Sequence, residues 1–318
     1  MNGSGAAEIA GRISENVQRV IRGKPELVRL AIAGLLAEDH LLIEDVPGLG
    51  KTSLARCLAR SIGGRWSRIQ FTPDLLPSDI TGVTVYRQSE ETFTFHPGAV
   101  FANIVVADEI NRGTPKTQSA LLEVMSERRV TVDGTGHDVP RPFLVIATQN
   151  PIELEGTYRL PEAQLDRFLM RLSVGYPDLD SEVLVMLGDC AGVGPDDLPA
   201  VVDVEALREA IVEVRTSHLD RAVCEYAARL TAATRSHSAV RYGASVRGSI
   251  ALVRTAQALA AIEGRDFVTP DDIKDVAVPV LAHRLVLTPE AEMNRRGSAE
   301  IVTELLASTP TPAAGAAR

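Results

Sequence analysis

Apolar residues recur every three or four positions at Ile9, Ile13, Val17, Val20 and Ile21, the spacing that keeps one helix face against a core. A second apolar helix is predicted over 26–38, after the Gly23-Lys24-Pro25 break. The period then changes. Leu41-Leu42-Ile43 is a short, unbroken apolar run that stops at a glycine-rich turn, and Ile104-Val105-Val106-Ala107 and Phe143-Leu144-Val145-Ile146-Ala147 repeat that signature. Runs of this length read as buried strands. Helical segments are predicted between and after them at 53–62, 116–127 and 162–169. Strands alternating with helices predict a mostly parallel sheet with helices on both faces. Two stretches alternate with period two instead. Gly82-Val83-Thr84-Val85-Tyr86 and Thr92-Phe93-Thr94-Phe95 flank the polar turn 87–91, and 129–134 ascends to a tight turn with Val139 on the return. Each predicts a hairpin.

Near Tyr176-Pro177-Asp178 the strand signals stop. From 180 to 287 the periodicity is helical, broken by a loop at 192–199. Thr269-Pro270-Asp271-Asp272 is a helix start, with a hydroxyl cap, proline in the first turn and acids at the positive end of the dipole. The expected organisation is an α/β domain over 1–176 and a smaller, all-helical domain over 177–296. The remainder, 297–318, ends in Ser-Thr-Pro-Thr-Pro-Ala-Ala-Gly before its last residues and is expected to be disordered. No internal repeat is visible.

Composition adds limits rather than a function. A chain of 318 residues, 45% hydrophobic, is long enough for a large core and more than one domain. A formal charge of −9 gives no general attraction to nucleic acid or acidic membranes, although a local basic patch stays compatible with it. Cys57, Cys190 and Cys224 show neither metal spacing nor a disulfide framework, which suits core cysteines in a reducing compartment. His96 and His137 have no cysteine or carboxylate at ligand spacing. No apolar stretch approaches the roughly 20 residues needed to span a bilayer, and the first eleven residues lack a basic-then-apolar signal. The expectation is a soluble, cytoplasmic chain without membrane insertion.

The chemistry concentrates at strand ends. Val46-Pro47-Gly48-Leu49-Gly50-Lys51-Thr52 lies between a predicted strand and a predicted helix. Glycines there let backbone N–H groups close around phosphate oxygens, and the helix N-terminus favours negative charge. Pro47, Gly48, Leu49, Gly50, Lys51, Thr52 and Ser53 are therefore the predicted triphosphate contacts, with Lys51 bridging the terminal phosphates and the Thr52 hydroxyl on magnesium. Asp45 stands where the usual G-x-x-x-x-G-K-[ST] pattern has its first glycine, which makes this a variant loop. The second strand ends in Asp108-Glu109, placing two carboxylates at the same sheet edge. Asp108 is expected to hold magnesium and Glu109 to orient the attacking water. At the third strand end, Ala147-Thr148-Gln149-Asn150-Pro151, Asn150 could position water or sense the γ-phosphate; a turn asparagine before proline is the alternative.

Taken in order, these residues resemble an AAA+ ATPase, and within that superfamily the MoxR family. Val106-Ala107-Asp108-Glu109-Ile110-Asn111-Arg112 with Pro115-Lys116-Thr117-Gln118 resembles the family's Walker B region and following helix. Ala147–Pro151 resembles its sensor 1, 160–168 its arginine-finger segment, and Gly243-Ala244-Ser245-Val246-Arg247 its sensor 2. The resemblance covers about residues 8–290; Pro97-Gly98-Ala99 is looser than the family's stretch. It implies a P-loop AAA+ sheet domain with a helical lid, binding ATP and Mg2+, in a homo-oligomeric ring of hexameric type. Arg167 would reach a neighbouring subunit's γ-phosphate, and Arg247 would contact the nucleotide of its own subunit. By pattern alone Arg167 and nearby Arg171 could equally be ordinary surface charges or ion-pair partners, a solvated helix charge is the alternative for Arg247, and Arg112 is a lesser candidate for an intersubunit contact. The resemblance further implies a protein client, assembled or activated in chaperone fashion with cofactor insertion among the outcomes, and a von Willebrand factor A-domain protein as partner. In similar proteins the hairpins face the ring pore or a client. Competing functions are the ATPase subunit of a metal chelatase, a nucleic-acid motor, which the acidity disfavours, and a non-hydrolysing scaffold, against which Glu109 and Arg167 speak.

Overall fold

The computed structural model describes residues 5–151, 156–190, 192 and 194–312. The chain runs α1 (Gly5–Val17), α2 (Pro25–Leu36), β1 (Leu41–Glu44), α3 (Lys51–Ser61), β2 (Trp66–Gln70), α4 (Pro77–Thr81), β3 (Gly82–Arg87), β4 (Thr92–Pro97), β5 (Ile104–Asp108), α5 (Pro115–Glu127), β6 (Arg129–Val132), β7 (Thr135–Asp138), β8 (Leu144–Gln149), α6 (Glu162–Leu165) and β9 (Met170–Leu172). It continues through α7 (Leu179–Cys190), α8 (Val204–Thr216), α9 (Arg221–Ser236), β10 (Val240–Tyr242), α10 (Val246–Ile262), α11 (Pro270–Leu281), β11 (Val286–Leu287), α12 (Pro289–Met293) and α13 (Ser298–Ser308). Among the described residues no helix is long and apolar enough to cross a membrane.

Five strands form one sheet in the order β2-β5-β8-β1-β9, and every pairing is parallel. Parallel strands need crossovers that cover both faces, which is why β1, β5 and β8 read as unbroken apolar runs. Their side chains alternate accordingly. Leu41, Ile43, Val106 and Ile146 join a core with α1, α2, α3 and the helices after the sheet, whereas Leu42, Val105, Val145 and Ala147 pack on the other face with Phe71, Ile80, Leu121 and Met125. Because all five strands point the same way, their C-terminal ends share one edge. β8 lies between β1 and β5, so its end separates the glycine-rich loop from the Asp108-Glu109 pair.

Beyond β9 the chain is helical except for the β10–β11 ribbon, an antiparallel pair that interrupts the all-helical pattern expected there. Val240 and Leu287 are partners in it. α11 starts at Thr269 as expected: the Thr269 hydroxyl accepts the Asp272 N–H at 3.3 Å, and the Asp272 carboxylate accepts the Thr269 N–H at 2.7 Å. Two other expectations are corrected. The segment 162–169 is a helix only for the single turn α6; its apolar end turns into β9, whose Met170 and Leu172 are buried beside β1. The stretch from Gly297 is not disordered over its first part. Ile301, Val302 and Leu305 place a buried stripe on α13, and this periodicity outweighs the Ser/Thr/Pro/Ala character of the residues after it. Residues 313–318 lie outside the described residues. Both hairpins form, β3 with β4 and β6 with β7.

Candidate active site

The loop after β1 enters α3 through two left-handed glycines, Gly48 (φ 83°) and Gly50 (φ 81°). A Cβ at either position meets nothing within 4 Å, so backbone conformation rather than crowding requires glycine there. The turn leaves the first N–H groups of α3 without helical partners, facing a cleft of about 350 Å3. Pro47, Gly48, Leu49, Gly50, Lys51, Thr52 and Ser53 line it on one side, and Glu109, Thr148 and Asn150 on the other. The loop and two strand ends singled out from the sequence therefore converge. Lys51 is folded back: its Nζ donates to the carbonyls of Asp45 and, at 2.9 Å, Val46. A bound phosphate would have to draw it from these neutral acceptors, a favourable exchange for an ammonium.

Asp108 is buried at 2% exposure yet fully engaged. Its carboxylate accepts from the Thr52 hydroxyl at 2.8 Å, the Thr148 hydroxyl at 3.1 Å and Arg68 Nε at 2.7 Å. Thr52 and Thr148 meet the same oxygen, which sets hard oxygen atoms from three elements within reach of one position. No group of three or more His, Cys, Asp or Glu able to hold a metal occurs among the described residues. The carboxylate and hydroxyl oxygens of Asp108 and Thr52 are donors that fit magnesium, which keeps most of its waters and takes phosphate oxygens beside one or two protein ligands.

Glu109 has a left-handed backbone (φ 54°), a costly state for a non-glycine residue that turns its side chain out of the strand. Its N–H donates to Thr148 Oγ1 at 3.0 Å. The carboxylate is engaged at one oxygen: Oε2 accepts from Gln70 Nε2 at 2.9 Å and Arg112 at 3.1 Å. Asn150 is buried beside it, its carbonyl accepting Asn111 Nδ2 at 3.1 Å. Arg68, Gln70 and Thr148 were absent from the sequence-based set. The first two stand on β2, whose Trp-Ser-Arg-Ile-Gln carries no apolar run, and Thr148 was in view at the end of β8 without an assigned role.

Asp45, the departure from the glycine pattern, is a clamp. Its carboxylate accepts from Ser173 Oγ at 2.6 Å, Gly175 N at 2.8 Å and Val46 N at 2.8 Å. Burial alone would raise its pKa, but these donors outweigh burial and hold the carboxyl below the usual range. The start of the loop is thereby tied to the chain leaving β9.

Arg167 and Arg247 lie elsewhere. Both line a second cavity, of about 670 Å3, between α5, α10 and the segments around Asp39 and Asp166. Arg128, Arg215, Arg254 and Arg284 line it too. Arg167 donates to the Leu122 carbonyl at 2.9 Å and to Ser126 Oγ. Asp166 draws the two regions together, pairing with Arg284 Nε at 2.9 Å and accepting from Ser245 Oγ, the cap of α10, at 2.9 Å. The packing of α10 on Asp166 and Arg284 sets Arg247 on the Arg167 side, outside the glycine-loop cleft.

Comparison with known proteins points to one family. The model for the ATPase family associated with various cellular activities (AAA) matches residues 40–170, and that for the AAA lid domain matches 232–305. The chain is 47% identical over 304 residues to the uncharacterized protein YeaC of Bacillus subtilis, covering 96% of this chain and 95% of that one. It is 42% identical over 305 residues to Chaperone MoxR1 of Mycobacterium tuberculosis, covering 93% and 80%. The crystal structure of a candidate ATPase from Cytophaga hutchinsonii superposes with a TM-score of 0.89 at 37% identity, covering 97% of each chain.

Proposed function

Because the chain belongs to the MoxR family of AAA+ ATPases, we propose that it is a chaperone-like remodeller. A ring of copies, hexameric in this reading, hydrolyses ATP to ADP and phosphate at sites shared between neighbours and uses lid motion to assemble or activate a protein client. The observation that carries the proposal is the single cleft in which the glycine loop, Glu109, Thr148 and Asn150 meet.

Each residue has a task that its position suits. The loop amides and the N-terminus of α3 hold the phosphates, and Lys51 leaves its carbonyl partners to neutralise the terminal ones. Thr52 and Asp108 would hold Mg2+, which when bound neutralises charge on the phosphate oxygens. Glu109, once released from Gln70 and Arg112, accepts a hydrogen bond from the attacking water and polarises it. Asn150 borders the same space and orients that water or the γ-phosphate. Among the described residues, no arginine of the same chain lines the cleft to meet the charge that develops on the transferred group. Arg167 and Arg247, together in the other cavity, are read as a neighbour's contribution to it. An arginine supplied in this way raises hydrolysis by roughly 10³–10⁵ in related P-loop systems.

The relative named Chaperone MoxR1 supports the chaperone-like role. Insertion of a cofactor into the client and partnership with a von Willebrand factor A-domain protein belong to the same proposal, as does work in the cytoplasm. The test is subunit mixing. Arg167→Ala and Lys51→Ala chains are each expected to be inactive in phosphate release, and mixed rings to recover activity by pairing an intact cleft with an intact arginine. Mixed rings that form but stay inactive would refute sharing. A Glu109→Gln chain, binding ATP without turnover, then serves as the trap for the client.

A further inference from the structure

Glu38 follows α2 with a left-handed backbone (φ 51°) and is 2% exposed. Three arginines converge on its carboxylate. Arg141 binds it through two nitrogens, Nε to Oε1 at 3.0 Å and a terminal nitrogen to Oε2 at 2.7 Å. Arg215 reaches Oε2 at 2.6 Å, and Arg128 reaches it at 3.1 Å while donating to the Glu38 carbonyl at 2.6 Å. Burial on its own would raise the Glu38 pKa; hydrogen bonds and charge from Arg141 and Arg128 outweigh it and lower the pKa.

One arginine would neutralise a buried carboxylate, so the origin of the three matters. Arg128 immediately precedes β6 and Arg141 follows β7, so both ends of the β6–β7 hairpin are fastened to one side chain. Arg215 belongs to the last turn of α8, in the helical region after the sheet. Arg128 and Arg215 also line the cavity that holds Arg167 and Arg247. On the returning strand of the hairpin, His137 stacks on Phe95 of β4 with ring centres 3.9 Å apart and planes 12° apart, joining the second hairpin. That hairpin carries the exposed pair Tyr86 and Phe93, 5.1 Å apart.

We propose that Glu38 is a positioning residue that couples the lid and the arginine cavity to the two hairpins. The inference rests on the reading that a neighbour's triphosphate enters that cavity. An incoming phosphate competes with Glu38 for Arg128 and Arg215, because both acceptors are anions and both guanidiniums border the cavity. As those two ion pairs weaken, Arg141 remains as the tether, and the hairpin base shifts. The hairpins thereby respond to the nucleotide held next door.

Arg141 is the informative site, since it faces Glu38 without lining either cavity and is half exposed. Backbone amide exchange across 129–138 is measured in the full-length ring with and without Mg2+ and a non-hydrolysable ATP analogue. In the wild type the analogue is expected to change exchange there by about fivefold, the lower end of ordinary coupling between sites. Arg141→Gln should abolish that response while ATP turnover stays at the wild-type rate, and Arg141→Lys, which keeps the charge but not the two-pronged contact, should restore part of it. Glu38→Gln should abolish it too. An Arg141→Gln chain that keeps the full response overturns the proposal, as does a wild-type hairpin that ignores the analogue while the ring turns over ATP. Failure to bind or hydrolyse ATP at all would instead remove the reading beneath it, so the two failures are distinguishable.

Discussion

Removing Gln70 should make the enzyme faster. Glu109 Oε2 accepts from Gln70 Nε2 at 2.9 Å, an arrangement that occupies one of the two carboxylate oxygens. A hydrogen bond to a charged acceptor contributes about 1.5–3 kcal/mol when sheltered. Gln70 is exposed and Arg112 also holds the same oxygen, so about 1 kcal/mol is the fitting figure for Gln70 alone. With RT near 0.59 kcal/mol, a shift of that size changes the ratio of released to held carboxylate about fivefold. Where the held state predominates, turnover rises by the same factor. Gln70→Ala is therefore expected to raise kcat in steady-state phosphate release about fivefold and to leave the KM for ATP within about twofold, since the glutamine does not border the phosphate cradle. The increase must vanish in a Gln70→Ala, Glu109→Gln double variant. A kcat unchanged or lowered, in a variant with wild-type thermal stability and assembly, would refute the idea that this contact restrains Glu109.

Two further predictions concern the frame around the site. Asp45→Asn preserves shape but weakens the bonds from Ser173, Gly175 and Val46, and should lower stability in urea unfolding by about 1 kcal/mol at neutral pH. The folded pKa of Asp45 is depressed below the roughly 3.9 of an unfolded aspartate, so its contribution is complete above that value and is lost as pH falls through the folded one. The gap between wild type and variant should close on acidification, and a gap independent of pH would contradict the assignment. Ending the chain at Gly297 removes the buried Ile301, Val302 and Leu305. At about 1.5–3 kcal/mol for each side chain, the loss is enough to unfold the lid. Calorimetry showing an unchanged melting temperature would count against α13 as part of the fold.

Local signals were legible in the sequence, and contacts between distant segments were not. β1, β5 and β8 are covered on both faces, so their apolar runs announced them, and the strand ends singled out in the sequence share one edge. β2 lies at the sheet edge with only Ile69 well buried, and β9 is three residues long. Neither produces a pattern, and with β2 went Arg68 and Gln70, the residues that hold Asp108 and Glu109 in place. The hairpins were legible because alternation and turn residues are short-range properties. The side on which Arg247 lies was not legible: its motif identifies the start of α10, but the contacts of Asp166 with Ser245 and Arg284 decide which side that helix end faces. The Glu38 cluster joins segments as far apart as Glu38 and Arg215, and no local pattern encodes it.

The central claim is that the α3 loop and the ends of β5 and β8 form one site for Mg·ATP. Titration calorimetry of ATP binding to the wild type and to Asp108→Asn, each with and without Mg2+, addresses it. Mg2+ is predicted to tighten binding to the wild type by at least about tenfold, or 1.4 kcal/mol, and to have little effect on the variant. Equal dependence on Mg2+ in both proteins, or no measurable binding by the wild type, would contradict it.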